Sequence, residues 1–119
     1  MTSSVHVDTT KLGDLRALDR PGRERFLTKI GTVFLSDAHR RVDEMAAGLK
    51  SEDTPKVVMA AHALKGSCSY LGATRLAELC RALEQQAEAG DFGGGDVAVD
   101  EIRRELDTVS ALLTEEMKR

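Results

Sequence analysis

The stretch TPKVVMAAHALKGSCSYLG, residues 54–72, carries its own start and stop signals. Thr54 can cap free backbone donors, and Pro55 fits the first helical position, where no donor is needed. A helix therefore starts here, runs to about Leu71 and stops at Gly72. At about 100° per residue, with His62 set at zero, Ala60, Ala63, Leu64, Leu71, Val57 and Cys68 cover an apolar arc from about 100° to 240°. The histidine lies almost opposite the centre of that arc, so the spacing predicts a ring facing water.

The same projection puts Lys65 at about 300°, Ser69 at about 340° and Gly66 at about 40°, with Val58 and Met59 at about 320° and 60°. A cation, a hydroxyl, a missing side chain and two apolar flanks thus surround the imidazole. Glycine inside a helix costs about 1 kcal/mol relative to alanine. Here it clears bulk one turn from His62 and would admit a planar group or another protein. The geometry alone fits equally a solvent-exposed histidine beside an incidental glycine.

Outward from this helix the periodicity remains helical, with no long period-two alternation. A short first helix is predicted from about Lys11 to Leu18, capped by Asp8, Thr9 or Thr10 and ended by the turn signal Asp19-Arg20-Pro21-Gly22. The next should run from about Arg23 to Lys50, with an apolar stripe of Phe26, Ile30, Val33, Phe34, Ala38, Val42, Met45, Ala46 and Leu49. Beyond Gly72, a helix from about Thr74 to Ala89 carries Leu76, Leu79, Cys80, Leu83 and Ala87 and stops at Gly90. Asp91 to Gly95 reads as a loop. A final helix from about Val97 to Met117 presents Ile102, Leu106, Val109, Leu113 and Met117.

Four long amphipathic helices with short connections must share one core, and short connections force neighbours antiparallel. The predicted fold is all-α: an up-down-up-down antiparallel four-helix bundle with a short additional N-terminal helix, one domain over residues 1–119, with residues 1–8 flexible. If the hairpin pivots at Gly72 and Ala73, facing residues have numbers summing to about 145 or 146, which sets His62 opposite Leu83 or Glu84. Leu83 belongs to the core stripe, leaving Glu84 as the polar neighbour. A carboxylate bonded to one ring nitrogen would fix the tautomer and leave the other nitrogen nucleophilic. A solvated surface glutamate is the alternative.

Composition removes several function classes. The chain has 119 residues, 41% hydrophobic, 31% charged and 3% aromatic, without tryptophan, which suits a core of Leu, Ala, Val and Met. A formal net charge of −3 leaves no positive excess for nucleic acid. No apolar run nears the roughly 20 residues of a membrane span, and the N-terminus lacks the blocks of a signal peptide. The expectation is a cytoplasmic monomer with no nucleic-acid or membrane partner. Cys68 and Cys80 form neither a C-x-x-C pair nor a disulfide framework and read as reduced, packed thiols. The glycines at 93–95 are not followed by Gly-Lys-Ser/Thr, so they form no phosphate loop. A di-metal carboxylate bundle needs Glu three residues before His. Ser36 and Met59 stand there before His39 and His62. His39 sits among Asp37, Arg40 and Arg41 on a solvated face, and His6 in a frayed terminus.

The string His62-Ala63-Leu64-Lys65-Gly66-Ser67-Cys68-Ser69-Tyr70-Leu71-Gly72-Ala73 resembles the signature of histidine-containing phosphotransfer (HPt) domains, His-x-Leu-Lys-Gly-Ser with a Gly-Ala further on. The likeness continues into Leu76, Leu79-Cys80 and Leu83-Glu84. It implies that His62 is the phospho-acceptor, that Lys65 helps hold the phosphoryl oxygens, and that Gly66 gives clearance. It also implies that Glu84 stands where the family often bonds the histidine with Gln or Glu. Ser67 matches the signature serine, but at about 140° it suits packing or helix-backbone bonding better than phosphate. Cys68 departs from a common second serine and is a packing change.

The resemblance implies a phosphoryl carrier that accepts from a receiver-domain aspartyl phosphate or a kinase and relays to a response-regulator aspartate, without enzyme machinery of its own. Its partners would be a receiver domain and a hybrid sensor histidine kinase; the helix projection offers Val58, Met59 and Ser69, beside the ring, as docking residues. An imidazole, with a reference pKa of about 6.5, is mostly neutral at pH 7 and can attack. Phosphoryl transfer needs alignment and charge neutralisation more than covalent help. No cofactor is expected in this chain; Mg²⁺ should come from the partner receiver. The alternative is an HPt-like docking module that binds a receiver or kinase without carrying phosphate.

Overall fold

The starts of the first three helices are marked by carboxylates that accept from free backbone N–H groups. In the computed structural model, which describes residues 6–19, 21 and 25–118, five helices occur: α1 (Thr9–Arg16), α2 (Phe26–Lys50), α3 (Thr54–Leu71), α4 (Thr74–Glu88) and α5 (Gly95–Met117). Asp8 caps α1, its carboxylate accepting from the N–H groups of Thr10 and Lys11. The Asp19 carboxylate accepts from the Phe26 N–H at 2.7 Å, so the turn after α1 also supplies an acceptor to the start of α2. Arg23, the expected start of α2, lies outside the described residues.

At α3 the cap is Asp53 rather than Thr54. Asp53 has extended backbone and its carboxylate accepts from Lys56 N–H at 3.2 Å, so Thr54 is already helical. Gly72 ends α3 with φ +77°, a conformation costly for a side chain. The Ala73 N–H reaches back to Cys68 O at 2.8 Å and closes the turn. The last helix begins two residues before Val97, at Gly95.

Short turns at 51–53 and 72–73 and a longer one at 89–94 place α2 against α3 and α5, and α4 against α3 and α5. This is the expected up-down-up-down ring, with α1 against α2 and α3. The core is aliphatic: Leu27, Val42, Met45, Val57, Leu64, Leu76, Leu83, Ile102, Leu106 and Leu113 are all closed to solvent, together with Leu12 of α1. Backbones approach closely where α2 carries glycine. A Cβ on Gly48 would stand 2.7 Å from Val57 Cγ2.

Three expectations change, two of them about helix faces. Val33 is 63% exposed; α2 turns Leu27, Gly31, Phe34, Ala38 and Val42 inward instead. In α3, Ala61 is buried and Ala63 only half-buried. The core arc is rotated toward α4, because α3 is wedged between α2 and α4 rather than lying on one surface. The N-terminal stretch is also tied down from His6 onward. Asp8 N–H donates to Gly72 O at 2.9 Å, and His6 Nδ1 bonds the buried Glu105 of α5. Residues 1–5 lie outside the described residues.

Candidate functional site

The register of the α3–α4 hairpin builds the site. The left-handed turn at Gly72 sends α4 back along α3 and brings His62 level with Glu84. His62 Nδ1 lies 3.1 Å from Glu84 Oε2, and Lys65 Nζ donates to Glu84 Oε1 at 3.1 Å. A carboxylate can only accept. A neutral ring in this contact carries its proton on Nδ1, which leaves the lone pair on Nε2. Side-chain exposures of 67% for His62, 27% for Lys65 and 13% for Glu84 show how this is arranged. The carboxylate is tucked between the helices, and the ring stands on it facing outward.

Lys65 thus lies on Glu84 rather than projecting freely. An ammonium has three donors, so the contact leaves capacity for a further oxygen. Beneath the pair, Cys80 is buried and its thiol is pushed up to about 12, chiefly by desolvation and secondly by Glu84, with Lys65 opposing. Burial pushes the Cys68 thiol up as well. Both are free thiols packed in the core, as the sequence suggested.

Gly66 is exposed, and a Cβ built on it meets nothing within 4 Å. Packing within this chain therefore gives no reason for the glycine.

The expected docking residues separate. Met59 is 70% exposed, whereas Val58 is half-buried against the core. Ser69 is exposed, but its hydroxyl donates to Lys65 O at 3.0 Å. Ser67 likewise donates to Ala63 O at 3.3 Å, the helix-backbone bond its angle suggested. Sequence reasoning missed an apolar groove of about 320 Å³ between α2 and α3, where Val33, Phe34 and Ile30 face Gly66 and Tyr70. Tyr70 is 54% exposed. Its signal was present: an aromatic ring two turns from the histidine, outside the core arc, in a chain with few aromatics. At the rim of the groove, Asp37 bonds both Arg40 and Arg41, which also reach Glu44. The hydrogen bond from Arg40 leads in holding the Asp37 carboxyl below its ordinary value. His39 is exposed beside this cluster.

Among the described residues, no group of three His, Cys, Asp or Glu side chains could hold a metal ion, and no helix is long and apolar enough to cross a membrane.

The family model described as Hpt domain matches residues 30–112, which include α3, α4 and their hairpin. Histidine-containing phosphotransfer protein 2 of Arabidopsis thaliana is 30% identical over 84 residues, covering 68% of this chain and 54% of that protein. Sensor protein TorS of Escherichia coli strain K12 is 43% identical over 54 residues, 45% of this chain but 6% of its own length. The chain thus spans about half or far less of these relatives. Among solved structures, histidine-containing phosphotransfer protein B from Pseudomonas aeruginosa PAO1 superposes with TM-score 0.87 at 26% identity, covering 98% of both chains. ZmHP2 from maize gives 0.81 at 25% identity, covering 95% of this chain and 88% of that one.

Proposed function

The chain belongs to the Hpt domain family, and from that premise we propose that it is a phosphoryl carrier whose acceptor atom is His62 Nε2. The observation that carries this is the pairing of an outward ring with a carboxylate held on its inner nitrogen.

The step follows from that geometry. Nε2 attacks the phosphorus of an aspartyl phosphate, a P–N bond forms, the P–O bond to the partner breaks, and the partner's carboxylate leaves with the electron pair. The ring gains positive charge as it gives up its lone pair. Glu84, 3.1 Å from Nδ1, stabilises that charge and keeps the ring oriented. Lys65 neutralises part of the phosphoryl charge with the donors Glu84 does not use. Relay to the next aspartate is the same step reversed.

Mg²⁺ and any nucleotide are supplied by the partner receiver or kinase, and the carrier contributes alignment and charge. The partners are a receiver domain and a hybrid sensor histidine kinase, and the chain works in the cytoplasm as a monomer. Met59 and the groove edge at Val33 and Tyr70 form the apolar part of the docking face, flanking the approach that Gly66 leaves open.

Incubation with a phosphorylated receiver tests the proposal. Acid-labile, alkali-stable label should appear on this chain and be abolished by His62→Gln. Binding without label, with every receiver of the host, would mean a docking module instead.

A further inference from the structure

A second cleft, of about 280 Å³, opens between α1, α3 and α4 on the side of α3 away from the apolar groove, and Lys65 and Ser69, one and two turns from His62, line it. Its cations are Lys11, Lys65 and Arg81, one from each helix. It also holds two carboxylates, Asp8 and Glu78. Asp8 caps α1, and Glu78 is itself partnered. Lys65 is held on Glu84. Lys11 and Arg81, both exposed, enter no salt bridge or side-chain hydrogen bond among the described residues. Two cations unpaired among the described residues therefore line a cleft that reaches Lys65, one turn from the acceptor histidine.

Lys11 is held in place. Its Cβ and Cγ would lie 3.2 Å from a Cβ on Gly72, so its stem runs over the α3–α4 turn. The segment before it is pinned by the Asp8–Gly72 backbone bond and by His6 on Glu105, whose other oxygen takes Arg75 Nε at 3.4 Å. The cation on α1 is thus fixed relative to His62 rather than carried on a loose arm.

We propose that this cleft receives the acidic rim of the partner's reacting site, with Lys11 and Arg81 as the charges that select and steer it. The inference rests on the phosphotransfer reading above and names a determinant of partner recognition. An aspartate that exchanges phosphoryl groups with Mg²⁺ bound needs further oxygen ligands, chiefly carboxylates, around that hard cation. The partner face that reaches Nε2 therefore carries clustered negative charge. On the groove side of α3 the lining is mostly apolar, whereas on the cleft side Lys11, Lys65 and Arg81 outnumber Asp8 and Glu78. The complementary orientation sets the acidic rim over Lys11 and Arg81. Attraction of this kind acts mainly on encounter and is screened by salt.

The test uses the full chain and a receiver domain already shown to label the wild type. Lys11→Glu and Arg81→Glu, singly and together, are mixed with the phosphorylated receiver, and transfer is followed by rapid quench across salt concentrations. The double variant should lose roughly tenfold in second-order transfer rate at low salt, with the gap closing as ionic strength approaches about 0.5 M. Transfer at saturating receiver should match wild type, because neither residue touches the reacting atoms. A double variant within twofold of wild type at low salt overturns the proposal, as does a loss that persists at high salt.

Thermal melting checks the fold of each variant. If the reversals disturb it, Lys11→Gln and Arg81→Gln remove charge without reversing it and should lose about threefold at low salt. Loss of binding in Tyr70→Asp with none in the charge variants would place recognition on the apolar flank alone and likewise overturn it. A wild type that labels while the variants keep pace sinks this inference only. A wild type that no receiver labels sinks the phosphotransfer reading with it.

Discussion

Replacing Glu84 with alanine removes both contacts that organise the site, the 3.1 Å bond to His62 Nδ1 and the 3.1 Å bond from Lys65. A hydrogen bond to a charged group contributes about 1.5–3 kcal/mol. The ring is 67% exposed, so solvent screens the interaction and the contribution falls around or below the bottom of that range. A loss of about 1–2 kcal/mol in the transition state corresponds to roughly 5- to 30-fold in rate. Because Glu84 acts on the ring and not on the partner, the loss should fall on the transfer rate at saturating receiver, with docking affinity little changed. Glu84→Gln keeps an acceptor without the charge and should lie between. Quenched-flow transfer from a phosphorylated receiver, with receiver concentration varied, separates the two quantities. Glu84→Ala within twofold of wild type at saturation would refute the orienting role, and an effect confined to affinity would make Glu84 a docking residue instead.

Gly66→Ala should raise the denaturant midpoint, by up to about 1 kcal/mol in stability, since the new Cβ meets open space and alanine favours helix. The same change should slow transfer; faster transfer would contradict the clearance role. Gly72→Ala should cost roughly 1–2 kcal/mol in a urea titration, because φ is +77° and the Cβ would stand 2.7 Å from Asp8 Cβ. A neutral result would mean that the N-terminal segment does not lie across the turn. Cys68 and Cys80 should resist a disulfide probe in the native protein and react on unfolding. Because their folded pKa values are raised above an unfolded value of about 8.5, their stabilisation is full below that pH. It is lost as pH rises toward the folded values, the one for Cys80 being about 12. Urea midpoints should therefore fall between pH 8 and pH 11, less so in Cys80→Ala; a flat profile would count against buried thiols.

The bundle was legible because its signals are local. Caps, Pro55, Gly72 and three-and-four spacing each act within a turn of chain, and the tight hairpin let simple numbering place His62 against Glu84. What escaped was decided by neighbours distant in sequence. Periodicity places an apolar stripe but not its rotation, so spacing alone puts Val33 inside and leaves Ala61 out, whereas packing against the neighbouring helices exposes Val33 and buries Ala61. Lys65 was placed beside the ring, yet its engagement with Glu84 depends on side-chain reach across the hairpin. His6 bonds a residue 99 positions away, and nothing near it in the chain announces Glu105. The groove around Tyr70 required two helices to be in place before its shape existed.

The central claim concerns one atom. A long-range ¹H–¹⁵N correlation spectrum of the phosphorylated, ¹⁵N-labelled chain reports both ring nitrogens of each histidine. Phosphorus on Nε2 of His62, with Nδ1 still protonated toward Glu84, is the predicted result. Phosphorus on Nδ1 of His62, or on His6, His39 or a carboxylate instead, would contradict the account.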